Sequence, residues 1–101
     1  MTGTQHVLSD VAHERDRQDK KWGKQDHDPF TWIAILGEEF GEAAKAALHY
    51  TFAVNSGNQF TAAQHKQLRD ELIQTAAVAV AAVEALDRGE LKVGAPTIKE
   101  Q

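Results

Sequence analysis

Thr75-Ala76-Ala77-Val78-Ala79-Val80-Ala81-Ala82-Val83 decides the architecture of this chain. Alanine and valine run nearly all the way round a helical turn here, so a helix built from them is apolar on every side and must be covered on every side. A lone three-helix chain cannot readily arrange that cover; helices from another subunit can. The stretch is too short to cross a bilayer, which takes about 20 predominantly apolar residues.

Outward from this core the helix acquires its ends. Thr61-Ala62-Ala63-Gln64 fits a capping box, in which two side chains satisfy two backbone amides reciprocally. Gly89 can take the left-handed angles of a helix end, and Arg88 opposes the negative end of the helix dipole. The pattern predicts a helix over 61–88. Upstream, Asn55-Ser56-Gly57-Asn58 is a cluster of turn formers within a connection over 51–60. Before it, Asp28 and Pro29 mark the start of a helix over 29–50, because Asp can accept from unpaired amides and Pro suits the first helical position. Val7, Leu8, Val11 and Ala12 give one face to a first helix over 4–21, with a charged second half and Trp22-Gly23 closing it. The segment 89–101 has no clear period and reads as a tail. Nothing alternates apolar with polar as a strand would. The expected fold is all-α: one domain over 1–101, a three-helix protomer with a C-terminal tail, its bundle completed by dimerisation.

Composition agrees. A chain of 101 residues fits one domain and buries too little surface to make a robust helical monomer, which favours association. A hydrophobic fraction of 42% without a long uncharged apolar run argues against a membrane partner, and no secretory leader is expected at the start. The absence of cysteine leaves no disulfide framework and no thiolate metal site, which suits a cytoplasmic protein. A net charge of -4 disfavours nucleic acid as a partner, since that affinity comes from cations on phosphates.

Chemistry concentrates in two acidic turns. Glu38, Glu39 and Glu42 sit at offsets that make Glu42 a neighbour of both others on one helical face. Like charges so placed destabilise a helix by a few tenths of a kcal/mol per pair, so they either face water or share a cation. A solvated acidic face is the plainer reading. Against it stands the setting between Ile33-Ala34-Ile35-Leu36 and Ala43-Ala44, where buried carboxylates need pairing or a metal. Asp70 and Glu71 form the second acidic turn, with Gln74 one turn beyond. If the second and third helices pack antiparallel, the two turns face each other, and carboxylate oxygens from two helices suit Mg²⁺, or Mn²⁺ in its place.

Glu38-Glu39-Phe40-Gly41-Glu42, followed after 28 residues by Glu71-Leu72-Ile73-Gln74, resembles the paired acidic motifs of the MazG-like all-α nucleoside triphosphate pyrophosphohydrolases. Glu14 to Gly23 is similar to the segment that precedes the acidic helix in that family. The resemblance spans about Val7 to Arg88. It implies an α-helical core completed by dimerisation, as a homodimer or a homotetramer. The implied activity is Mg²⁺-dependent cleavage of a nucleoside triphosphate between its α and β phosphates, releasing a monophosphate and pyrophosphate in nucleotide-pool house-cleaning. By position it makes Glu39, Glu42 and Glu71 metal ligands, and Glu38 a ligand or the orienter of the attacking water. Glu38 and Glu39 are thus the candidate catalytic carboxylates. Gln74 departs from the pattern, standing where the family has Asp, so one negative charge is missing from the set.

Arg15, Lys21, Lys66 and Arg69 are candidates for a phosphate clamp, and each could equally be a solvated surface charge. Trp22 could stack on a base or pack the corner of the first helix. His49 falls on roughly the same face as Glu42 and is more simply a solvent-facing histidine. Trp32, Phe40, Tyr50, Phe52 and Phe60 are assigned to core or subunit contacts. A literal Glu-x-x-Asp at Glu84 to Asp87 lies past the apolar run and is read as solvated. The rival from another class is a non-catalytic helical interaction or regulatory protein. A di-iron bundle is disfavoured because the third helix has no Glu-x-x-His.

Overall fold

The computed structural model describes residues 2–57 and 61–89. Three helices make up nearly all of them: α1 (Gly3–Trp22), α2 (Pro29–Asn55) and α3 (Thr61–Arg88). No strand occurs among the described residues, in agreement with the expected all-α class. The tail over 90–101 and Phe60 lie outside the described residues.

Local chemistry explains the boundaries. Thr2 caps α1 through a full capping box with Gln5, so the helix starts one residue earlier than expected. It ends where Gly23 takes φ 72°, a left-handed angle that other side chains resist. Asp28 caps α2 by accepting from the Thr31 amide at 2.7 Å, with Pro29 at the first helical position. The expected end of α2 at Tyr50 is corrected to Asn55. Thr51 to Val54 contain no breaker, Ala53 is buried, and the chain turns only at Ser56 and at Gly57, whose φ is 65°. The third helix spans the expected residues, with Gly89 at φ 68° just beyond it.

α3 is the central element. It packs against both α2 and α1, while α1 and α2 do not pack on each other. Three pairings run in opposite senses along α2 and α3: Tyr50 stacks edge-on with His65, the Thr75 hydroxyl lies 3.3 Å from the Glu39 carbonyl, and Trp32 clusters with Val78 and Ala85. The two helices are therefore antiparallel. Arg69 reaches Asp10 and Arg15 reaches Glu84, so α1 runs in the same direction as α3. Burial of Trp32, Val78 and Ala85, with Ile35, Leu36, Ala81 and Ala82 around them, forms the main core.

That core is small. No large side chain among the described residues is fully enclosed, and Val80 and Val83 of the alanine-valine run stay exposed. On α1 only Val11 of the expected apolar face is buried; Val7 and Leu8 face solvent. The Cα radius of gyration, 16.9 Å, exceeds the ~13 Å typical of a compact domain of this length. Among the described residues the bundle is not closed.

Candidate functional site

The gap between α1 and α2 is a cleft of about 480 Å³ floored by α3. Glu14, Arg15, Gln18 and Trp22 of α1 line one wall, and Trp32, Ile35, Glu38 and Glu39 of α2 line the other. Gln74, Val78 and Ala81 form the floor. The volume falls within the ~300–1,000 Å³ of ordinary small-molecule sites.

Glu39 is the electrostatic centre of this region. Its burial, and then the carboxylates of Glu71, Glu42, Glu14 and Glu38 in that order, hold its proton more tightly than an ordinary glutamate does. Acidic residues from all three helices thus act on one half-buried carboxyl. Thr75 sets the register: its hydroxyl lies 2.7 Å from the Glu71 carbonyl on its own helix and 3.3 Å from the Glu39 carbonyl opposite. The expected convergence of the two acidic turns is present at the level of the backbone and of the electric field. It does not extend to a formed ligand shell. Among the described residues no three His, Asp or Glu side chains are grouped so as to hold a metal ion.

The reason lies in what each carboxylate already does. Glu38 and Glu42 are exposed, against the expectation of a largely buried segment, because the side of α2 that carries them faces neither α3 nor the core. Gln67 donates to Glu71 at 2.8 Å along α3. Glu14 accepts from Arg17 at 2.9 and 2.6 Å and from Gln18 at 3.3 Å; the Arg17 bond is the main cause that holds its proton affinity below the usual range, against its burial. Oxygen donors of the type Mg²⁺ prefers therefore lie around Glu39, with Glu14 among them already paired to Arg17. The fit to a divalent cation is one of charge and donor chemistry, and a shell needs rotation of the exposed Glu42 and Glu38 side chains.

The basic candidates are separated. Arg15 lines the cleft, where its guanidinium lies 2.7 Å from Glu84 and 3.0 Å from Asp19. Arg69 pairs with Asp10 at 2.7 Å in a second hollow beside Asp70 and Gln74. Lys66 is bound to Asp70 at 2.7 Å on the outer side of α3. Lys21 sits 4.7 Å from the centre of the Trp22 ring, and that ring is 53% exposed at the cleft rim. His49 is exposed and lines neither hollow. Glu84, read as solvated, is half-exposed but tied to Arg15.

Glu14, Gln18 and Thr75 were not singled out by sequence reasoning. Glu14, Gln18 and Trp22 recur every fourth residue and so share one face of α1, a spacing that could have marked that face. Gln18 is buried although polar. Thr75 stands one turn after Glu71, and only its hydroxyl within an otherwise apolar run hinted at a bond. No family model matches the chain, and no curated protein or solved structure matches it either.

Proposed function

We propose that the chain is a Mg²⁺-dependent nucleoside triphosphate pyrophosphohydrolase of the MazG-like kind, converting a (d)NTP and water to (d)NMP and pyrophosphate as a cytoplasmic homodimer or homotetramer. The observation that carries the reading is the half-buried carboxyl of Glu39 on the wall of the three-helix cleft, its proton held by burial and by the charges of Glu71, Glu42, Glu14 and Glu38, of which Glu14 and Glu38 also line the cleft. A concentration of like charge next to a ligand-sized hollow is costly unless a cation or a cation-bearing substrate relieves it.

Glu39, Glu42 and Glu71, with the amide oxygen of Gln74, would hold Mg²⁺, or Mn²⁺ in its place. When bound, the cation supplies neutralisation of phosphate charge and activation of the attacking water. Glu38 lines the cleft beside Glu39 and would orient that water. Trp22 offers an exposed ring for stacking on a base, and Arg15 can turn from Glu84 toward a phosphate.

One observation favours the non-catalytic alternative: Arg15, Lys66 and Arg69 are each already held by a carboxylate, and no ligand group is assembled among the described residues. Incubation with a panel of nucleoside triphosphates and Mg²⁺ or Mn²⁺, with pyrophosphate as the readout, separates the two. Release that disappears in Glu42→Gln supports the enzyme. No release from any nucleotide with either cation rejects it in favour of a helical interaction or regulatory protein.

A further inference from the structure

We propose that Glu14 of α1 supplies the negative charge that Gln74 withholds from the acidic end of the cleft, as a direct or water-mediated ligand of the divalent cation. The inference rests on the reading of the cleft as a Mg²⁺ site. It adds a residue from α1, a helix from which the paired acidic motifs draw no ligand.

Glu14 and Gln74 share one junction. Both line the main cleft and also the second hollow beside Asp70, so each stands where the two spaces meet. The electric field agrees with that placement. Among the carboxylates that act on Glu39, Glu14 ranks ahead of Glu38, the adjacent residue of α2, although α1 and α2 do not pack on each other. A charge from a separate helix outweighs an adjacent one only if it lies nearer or is less screened by water. Either way, a cation beside Glu39 feels Glu14 strongly. Asp70 acts on Glu14 in turn, so this one carboxylate is coupled to the acidic turns of both α2 and α3.

The carboxylate is enclosed and held. Its side chain is 12% exposed, against 52% for Arg17, its partner one turn on. An ion pair at that spacing forms on a helix surface without burial, so the pair alone does not account for where Glu14 sits. Arg17 donates to Oε1 at 2.9 Å and to Oε2 at 2.6 Å, and the buried Gln18 donates to Oε2 at 3.3 Å. A carboxylate has about four acceptor sites, so these bonds leave one, on Oε1. Carboxylates that bind metals are themselves held by such outer hydrogen bonds, which fix their orientation. The same cleft gives a second, independent sign of an occupant: Trp32 on its wall is buried, yet its indole N–H has no acceptor among the described residues. A buried donor in that state calls for a partner from outside the chain.

The affinity of the full-length protein for Mn²⁺, followed by the electron paramagnetic resonance of the free ion, tests this without turnover. Glu14→Gln is expected to weaken binding by roughly tenfold or more, with helicity by circular dichroism unchanged. Asp87→Asn, which removes the same charge from an exposed position at the end of α3, is expected to leave the affinity as it is. Gln74→Asp placed in the Glu14→Gln protein is expected to restore most of the lost affinity, because it returns the charge to the same junction. A wild type with no affinity for Mn²⁺ removes the metal reading and this proposal with it. A wild type that binds, with Glu14→Gln binding equally well or staying weak after Gln74→Asp, overturns the role of Glu14 alone and leaves Glu39, Glu42 and Glu71 as the site.

Discussion

Replacing Glu39 by Gln should stabilise the cation-free protein at neutral pH. In the folded chain the Glu39 carboxyl holds its proton above the ordinary value of 4.5, through burial first and the charges of Glu71, Glu42, Glu14 and Glu38 after it. Raised proton affinity in the folded state means that ionisation favours unfolding. The penalty is absent while both states are protonated, grows as pH rises through 4.5 and the higher folded-state value, and is complete above them. The two strongest charged neighbours are Glu71 on the facing helix and Glu42 a turn away, each taken as a solvent-screened like-charge pair of about 0.2–0.5 kcal/mol. Removing both gives about 0.4–1 kcal/mol, or a Tm higher by roughly 2–8 °C for a domain of this size. Thermal melts by circular dichroism at pH 7 and pH 3.5, in EDTA and low salt, read the effect. The gain should appear at pH 7, vanish at pH 3.5 and shrink with salt. Millimolar Mg²⁺ should then raise the Tm of the wild type and leave Glu39→Gln unmoved. A Glu39→Gln protein no more stable than wild type at pH 7 refutes the reasoning, whatever the enzymatic result.

Three further outcomes test the frame that holds the cleft. Trp32→Ala should cost about 3–5 kcal/mol, since the indole is the largest member of a thin core, and chemical denaturation should show most of the stability gone. A double-mutant cycle of Arg15→Ala and Glu84→Gln should give a coupling of about 1 kcal/mol that falls in salt, as the pair is charged and only partly shielded from water. Asp28→Ala should lower the Tm at neutral pH by removing the α2 cap; bonding to Thr31 depresses the Asp28 proton affinity, so the wild-type advantage should fade as pH drops below 3.8.

The helices were legible because their signals are local. Asp28-Pro29 and Gly89 mark ends through the backbone angles and caps they supply, and α3 begins and ends at the expected residues. Thr2 with Gln5, and the extension of α2 through Ala53, escaped because a cap at the chain start and a breaker-free run beyond Tyr50 look like coil until packing is known. The site was legible only in part. Spacing located Glu39 and Glu71 on facing turns, and the Thr75 bond now links their carbonyls. Spacing could not show that Glu38 and Glu42 stay in water, nor that Arg15 is committed to Glu84, since these depend on the angle at which α1 lies across α3. Trp32, Phe40 and Phe52 were assigned to core or subunit contacts without distinguishing them; Trp32 is buried in the core, whereas Phe40 and Phe52 are exposed on the single chain.

Among the described residues α1 packs on α3 and not on α2, so the width of the cleft depends on a single helix whose fastenings include two ion pairs, Val11 and the buried Gln18. Such a fastening behaves like a clasp: the hydrophobic interior fixes where α2 stands, while dissolved ions screen the pairs made by Arg15 and Arg69. Raising the ionic strength is therefore expected to weaken the hold of α1 on α3 and to leave the cluster of Trp32 and Val78 beneath it in place.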